Sequence, residues 1–340
     1  MKKVRVAILG YGRSGGSMHA GAVEANKELF DMVAVADVDE AQRNKAAERF
    51  KCAVYADYHE MLRKEKLDLV CVITRSDQHS AMTCDCLKAG AAVLVTKPWA
   101  VNEAEAQAMV DAARKTGKLL MPWLPSRWGC TLRRLKTLAQ EKAIGETFLI
   151  RRVAGSFATR CDWQTERRYG GGYLLNWGPH IIDPAVILGG APVKSVYGRM
   201  KQTINPGDTE DVFMGILTLA NGVVAQVEYT IAVETPPDWF VQGTRGTIIA
   251  NGKKLKVLKN TPKRPDDPTK FHTMGASQTE TIEEEVAGAI YGDENEIYRE
   301  IAAAVRGDKP FAVKPEDALE LTRVMDAIRI SSQEDRVVKL

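Results

Sequence analysis

Val4-Arg5-Val6-Ala7-Ile8-Leu9-Gly10-Tyr11-Gly12-Arg13-Ser14-Gly15 is an apolar run of strand length that leads straight into G-x-G-x-x-G. Residues 17–30 follow with a helical pattern. A bound dinucleotide needs this order of strand, glycine turn and helix. The first glycine permits the tight turn, the second lets the backbone approach a pyrophosphate, and the third lets the helix pack close to the strand. The helix N-terminus adds free N–H groups and a partial positive charge. A glycine-rich turn by itself is often only a turn; its place one strand into the chain and ahead of a helix gives it weight.

The next strand, 32–37, ends in Asp37, 22 residues past Gly15. That is close to the ~20 expected for the carboxylate that binds an adenosine ribose. An unpaired carboxylate there repels a 2′-phosphate and so favours NAD over NADP. The plainer alternative is that Asp37 merely ends a strand, while Asp39 with Gln42 resembles a capping box. Strand and helix keep alternating: helix 39–50, strand 54–55, helix 58–64, an apolar strand 68–74, helix 78–89, strand 92–96, helix 102–116 and strand 119–121. Such repeats predict a doubly wound α/β fold, a parallel sheet with helices on both faces. Its ligand lies at the carboxyl ends of the strands, where Asp37, Thr74 and Lys97 fall.

From about residue 122 the texture changes. A helix over 133–142 is followed by strand candidates at 146–156, 193–202, 212–220, 223–233, 239–242, 247–250 and 255–258, with Asn221-Gly222 a strong hairpin signal. We expect an open, mostly antiparallel sheet with helices on one face, a polar loop over 262–279, and helices over 283–306 and 315–331. The division is 1–122 for a dinucleotide-binding domain and 123–340 for a substrate and oligomerisation domain, and 340 residues suffice for two filled cores.

Composition narrows the function classes. The chain is 45% apolar and 27% charged, with a net charge of +3, an ordinary globular mix too weakly basic to argue for nucleic acid. The densest basic stretch, 253–264, reads as a solvated hairpin and loop. No run approaches the ~18 apolar residues of a membrane span, and the first strand is not a secretory signal. Six cysteines without C-x-x-C suggest reduced thiols in cytoplasm, and five histidines without a ligand cluster give no reason to expect a metal.

Three further stretches matter: Thr74-Arg75-Ser76-Asp77-Gln78-His79, Thr96-Lys97-Pro98, and the run from Gly170-Gly171-Gly172 through Asn176-Trp177-Gly178-Pro179-His180 to Asp183. They look like T-P-x-x-x-H, E-K-P and G-G-G-x-L-x-D-x-G-x-H-x-x-D. In this order, and with the glycine loop, the chain resembles the glucose–fructose oxidoreductase / inositol dehydrogenase / MocA family over nearly its whole length. The resemblance implies a Rossmann domain followed by an open-sheet substrate domain. It also implies NAD(P)-dependent oxidation or reduction of sugars, polyols or related hydroxy compounds, and a homodimer or homotetramer formed through the outer face of the second sheet.

Hydride transfer from an alcohol carbon requires a base for the hydroxyl proton. Lys97, past a buried strand, falls on the family lysine that touches substrate and cofactor, although a lysine at a strand end is commonly just solvated. His180 falls on the family's catalytic histidine, and its ordinary pKa near 6.5 suits proton exchange; a histidine on an apolar helix is otherwise a core residue. Asn176, one turn before His180, stands where many members carry aspartate. It can orient a hydroxyl but cannot accept a proton. Thr96 and Arg75 are further departures. Arg75 either binds an anionic substrate group or pairs with a surface acid.

The candidate cofactor contacts are Gly10, Tyr11, Gly12, Arg13, Ser14 and Gly15 of the turn, with Asp37. The matching motifs add Thr74, Arg75, His79 and Lys97. The candidate substrate contacts are Lys97, Trp123, Arg127, Trp163, Asn176, Trp177 and His180, while Asp183 reads as structural. Three alternatives stay open: an NAD-assisted lyase or glycosidase on the same scaffold, a nucleotide-sensing regulator without turnover, and a Rossmann-like domain that binds no nucleotide.

Overall fold

The computed structural model describes residues 2–262, 267, 269–272 and 278–340. The loop expected over 262–279 and the end of the basic stretch, Lys263 and Arg264, lie largely outside those residues.

The first half builds one six-stranded parallel sheet. Its elements in chain order are β1 (Val4–Leu9), α1 (Ala20–Ala25), β2 (Phe30–Ala36), α2 (Glu40–Phe50), β3 (Ala53–Tyr55), α3 (Tyr58–Lys64), β4 (Leu69–Val72), α4 (His79–Lys88), β5 (Ala92–Val95), α5 (Glu103–Thr116) and β6 (Leu120–Pro122). The strand order is β3-β2-β1-β4-β5-β6, so the direction of winding reverses between β1 and β4 and a crevice opens there. β1, β4 and β5 are almost wholly buried because helices cover both faces. The expected caps form: Asp39 accepts from Ala41 N–H, Asn102 from Glu105 N–H, and Gly117 ends α5 with a left-handed residue. The helix expected over 17–30 is shorter and irregular. A π-type turn, Arg13–His19, leads into α1, and the chain leaves the helix at Asn26.

The second half adds α6 (Cys130–Gln140), β7 (Thr147–Gly155), α7 (Tyr173–Gly189), β8 (Val193–Lys201), β9 (Val212–Leu219), β10 (Val224–Thr230), β11 (Trp239–Gly243), β12 (Gly246–Asn251), β13 (Lys254–Lys259), β14 (Glu280–Glu285), α8 (Glu294–Arg306), α9 (Pro315–Glu334) and β15 (Val338–Lys339). These strands form a nine-stranded sheet that is antiparallel except where β10 runs parallel to β7. Alternation along β9 and β10 turns Phe213, Leu217, Ala225 and Val227 inward, where Ile181, Ile182 and Ala185 of α7 join the same buried cluster. Glu280–Glu285, its last three residues expected to begin a helix, is instead an edge strand in which Glu280, Glu283 and Glu285 face the lysines of β13. Cross-strand charge pairing overrides the weak strand propensity of glutamate there. Both C-terminal helices also reach the first sheet: Tyr298 of α8 packs with His19, and Ala318 and Leu319 of α9 join the cluster around β4 and β5. Among the described residues no helix is long and apolar enough to cross a membrane.

The position of α7 matters most for the site, and its start is capped from a distance. Its first residues have no side-chain cap of their own. Tyr173 N–H donates to the Glu210 carbonyl and Leu174 N–H to the Glu210 carboxylate, both at 3.0 Å. The turn that carries Glu210 is in turn held by Asp211, fully buried, which accepts from Thr203 N–H, Thr203 Oγ1, Ile204 N–H and Asn205 N–H at 2.7–2.8 Å. Burial alone would raise the Asp211 pKa, but these donors outweigh it and hold the carboxyl below its usual range. Because the folded-state pKa is depressed, the stabilisation is complete above the unfolded value near ~4 and is lost as pH falls through the folded one. Asp211→Ala leaves four donors without an acceptor and is expected to lower stability by about 2–3 kcal/mol at neutral pH. Urea denaturation at pH 7 and pH 3 checks this: the difference between wild type and variant should shrink at the lower pH.

Candidate active site

At the switch point between β1 and β4 the glycine turn forms a cradle. Gly10 has φ +87°, and a Cβ on it would lie 2.7 Å from the Ile73 carbonyl. A Cβ on Gly15 would run into the Gly10 carbonyl, so the helix sits directly against the strand. Around Gly12 there is nothing within 4 Å of where a Cβ would be. The second glycine thus faces open space at the start of the helical turn, the place a pyrophosphate would occupy, and these residues fit a dinucleotide.

The turn lines a cleft of about 460 Å³. Gly10, Gly12, Arg13 and Ser14 form one wall, Asp37 the outer end, and Thr74, Arg75 and Lys97 the strand ends. From the second domain, Trp163, Gln164, Gly171 and Asn176 close the other side. Asp37 is half-exposed; its Oδ2 accepts from Tyr11 N–H at 2.6 Å and its Oδ1 from Asp39 N–H at 2.8 Å. Arg43 donates to the carbonyls of Asp37 and Val38, which puts a guanidinium beside the same corner.

Lys97 is the centre of the inner end. Its Nζ donates to the Asn176 carbonyl at 2.9 Å and to Asn176 Oδ1 at 2.6 Å, across the seam between the two halves of the chain. Burial, and then the positive charges of Arg160 and Arg13, push its pKa down from 10.5 to about 7. That corresponds to roughly 5 kcal/mol against the charged form. Asn176 supplies acceptors but no countercharge, which is why the shift is so large.

His180 lies one turn further along α7. Its Nδ1 meets Ser126 Oγ at 2.8 Å, and its ring packs edge-on against Tyr291 and Trp177. Burial, then Lys97 and Arg152, hold its pKa well below 6.5. The expectation of a histidine exchanging protons near neutrality is therefore corrected: the imidazole stays neutral, and the group that titrates near pH 7 is Lys97. Trp177 stacks on Tyr229 at 5.0 Å, next to His180.

Four candidates sit elsewhere than expected. Trp123 is 3% exposed and packs on His19 and Tyr298, so its indole belongs to the core between the first sheet and α8. Arg127 is spent on ion pairs, bidentate to Asp183 and single to Asp317 at 2.7 Å, which ties α7 to α9. His79 is buried and bridges the carbonyls of Pro98 and Thr74, bracing the two loops rather than facing the cleft. The Tyr11 ring turns inward against Phe50, and only its backbone N–H serves the cleft wall, through Asp37. Arg75 lies over the Tyr169 ring at 4.1 Å and pairs with Asp77 at 3.5 Å, the surface-acid alternative.

Arg152, Arg160, Ser126 and Tyr291 carry no motif and were missed. Arg152 alone left a signal: it shares the parity of Ile150 in β7, which places a charged residue on the inward face.

With this geometry in place, the comparisons with known proteins are specific. The profile described as "Oxidoreductase family, NAD-binding Rossmann fold" matches residues 4–123, and the "GFO/IDH/MocA C-terminal domain" matches residues 132–249. The chain is 25% identical to scyllo-inositol 2-dehydrogenase (NADP(+)) IolW of Bacillus subtilis (strain 168), over 99% of this chain and 96% of that one. It is 29% identical to D-glucoside 3-dehydrogenase of Escherichia coli (strain K12), over 68% of this chain and 71% of that one. An NAD-binding protein from Listeria innocua has the same fold, with a TM-score of 0.85 at 25% identity, covering 99% of this chain and 97% of that one. The chain belongs to the Gfo/Idh/MocA family of NAD(P)-dependent oxidoreductases.

Proposed function

We propose that this enzyme oxidises or reduces a carbinol carbon of a sugar, polyol or sugar-derived acid, with Lys97 moving the hydroxyl proton. The observation that carries the proposal is Lys97 itself: a buried amine with a pKa of about 7, at the inner end of a cleft lined by the glycine turn. The bound nicotinamide supplies the hydride acceptor or donor. The residues of the chain do the rest. Unprotonated Lys97 accepts the hydroxyl proton during oxidation, and its ammonium returns one during reduction. His180, held by Ser126, stays neutral and offers its other ring nitrogen to a substrate oxygen. Asn176 keeps Nζ aimed and adds an amide for a second hydroxyl. Trp163 and Trp177 supply the apolar surface on which a sugar ring packs.

Asp37 supports NAD over NADP, since a 2′-phosphate would meet its carboxylate. Arg43 beside it favours the phosphate, and the Bacillus subtilis relative is named for NADP. The outer face of the nine-stranded sheet, where Met214 is exposed, supports assembly as a homodimer or homotetramer, and six free cysteines suit a cytoplasmic setting.

Two outcomes are expected. In Asn176→Asp a carboxylate replaces the amide at hydrogen-bond distance from Nζ and raises the Lys97 pKa by about 1–3 units. The rising limb of kcat/KM against pH for alcohol oxidation moves up by the same amount, and oxidation at pH 7 falls by about fivefold for a one-unit rise and by several hundredfold for three units. Nitrogen-15 NMR of labelled lysine follows the same titration without turnover, and an unmoved midpoint rejects Lys97 as the base. In Asp37→Ser, fluorescence titration should show NADPH gaining about tenfold in affinity relative to NADH (~1.4 kcal/mol). An unchanged ratio removes Asp37 from the ribose site.

A further inference from the structure

Arg152 lies on β7, on the face turned toward α7, and is 5% exposed. No carboxylate among the described residues pairs with it. One terminal nitrogen donates to the carbonyls of Val153 and Asp238, the guanidinium lies over the Trp239 ring at 5.0 Å, and the Tyr291 hydroxyl reaches it. Its Nε is buried with no partner at all. The one acid whose charge is felt there, Asp238, has its Oδ2 accepting from Gly252 N–H at 2.7 Å. A buried guanidinium held only by carbonyls is costly, and proteins keep such groups where an anion repays them.

Lys97 at the inner end is also under-compensated: it meets only the neutral Asn176, where many relatives are expected to carry an aspartate. Arg160 bonds Gln164 of the cleft wall and is ion-paired with Asp162 at 3.7 Å. Tyr291 links the two regions, touching Arg152 on one side and packing on the His180 ring at 5.1 Å on the other.

We propose that the substrate carries an anionic oxygen group, a carboxylate or a phosphate on its polyhydroxy skeleton, which docks between Arg152 and the Lys97–Arg160 pair and supplies the negative charge that Asn176 withholds. The inference rests on the oxidoreductase function proposed above and names its substrate class. Neutral hydroxyls would satisfy hydrogen bonds here but leave the charge uncompensated, whereas the planar fork of an arginine matches a carboxylate or phosphate in two-point geometry. An anion beside Nζ also draws a proton onto Lys97, so binding near neutral pH takes up protons, and the ammonium so formed is the proton donor for reduction of the bound carbonyl, while oxidation of such a substrate needs a higher pH.

Calorimetric titration of the NADH-saturated protein with gluconate, glucuronate, glucose 6-phosphate, glucitol and glucose tests this. At least one anionic ligand should bind at least tenfold more tightly than its neutral counterpart of the same skeleton, and the arm that binds separates carboxylate from phosphate. Repeating that titration at pH 7.5 in buffers of different ionisation enthalpy should reveal proton uptake that no neutral ligand produces. Arg152→Gln should erase the tenfold preference, and Arg152→Lys should restore part of it, with melting curves confirming that both are folded. Equal binding of acid and neutral partner, or no binding of any anion in the panel, overturns the inference. Loss of NADH binding in the wild-type control would instead overturn the oxidoreductase function, so the two failures are distinguishable.

Discussion

The contact between Lys97 Nζ and Asn176 is the constraint on which the site depends. It joins the end of β5 in the first sheet to the first turn of α7 on the second, and so sets how the two halves of the chain face each other across the cleft. Its electrostatics are unusual because both acceptors are neutral. A carboxylate at the same position would hold the ammonium charged, and Lys97 would then be an anchor. With an amide there, and Arg160 and Arg13 nearby, the charged and neutral forms lie close in energy near pH 7. On the function proposed above, Asn176 therefore leaves proton transfer to the lysine.

That arrangement is maintained by structure well outside the cleft. α7 carries Asn176, Trp177 and His180 on successive positions of one face, and its register depends on the Glu210 cap and the turn organised by Asp211. Further along, Asp183 of the same helix is clamped by Arg127, which reaches on to α9. The clamp is charge-assisted, and its arginine is 18% exposed; losing either partner would leave a buried charge and shift the helix. Arg127 is thus better understood as a strut for α7 than as a substrate contact.

Much of this was legible in the sequence, for identifiable reasons. Glycine positions carry information because each excludes a side chain for a local steric cause, so the Gly10–Gly15 turn could be read directly. Continuous apolar runs marked the buried parallel strands, and alternation marked β9 and β10. The limits are equally physical. Glu280–Glu285 has no strand-like composition and depends on lysines 21 to 31 residues earlier across the ladder. Trp123 and Arg127 were misplaced because a residue just past a strand can turn either toward the cleft or into the core, and nothing local decides which. The His180 pKa was misjudged because its environment is assembled from β5, β7 and α7, which meet only in the folded protein.

Arg152 combines both situations. Its inward parity on β7 was visible, but its lack of an acid partner was not, since that depends on every element packed around it. Natural cores seldom keep a guanidinium whose hydrogen bonds go only to carbonyls. Replacing Arg152 with an apolar residue of similar size would be expected to stabilise the free protein. An anionic ligand, as inferred above, would offset that cost. Among the described residues no acid pairs with Lys97 or with Arg152, and on the inference above the two have a common cause: the site is preorganised for charge that arrives with the ligand.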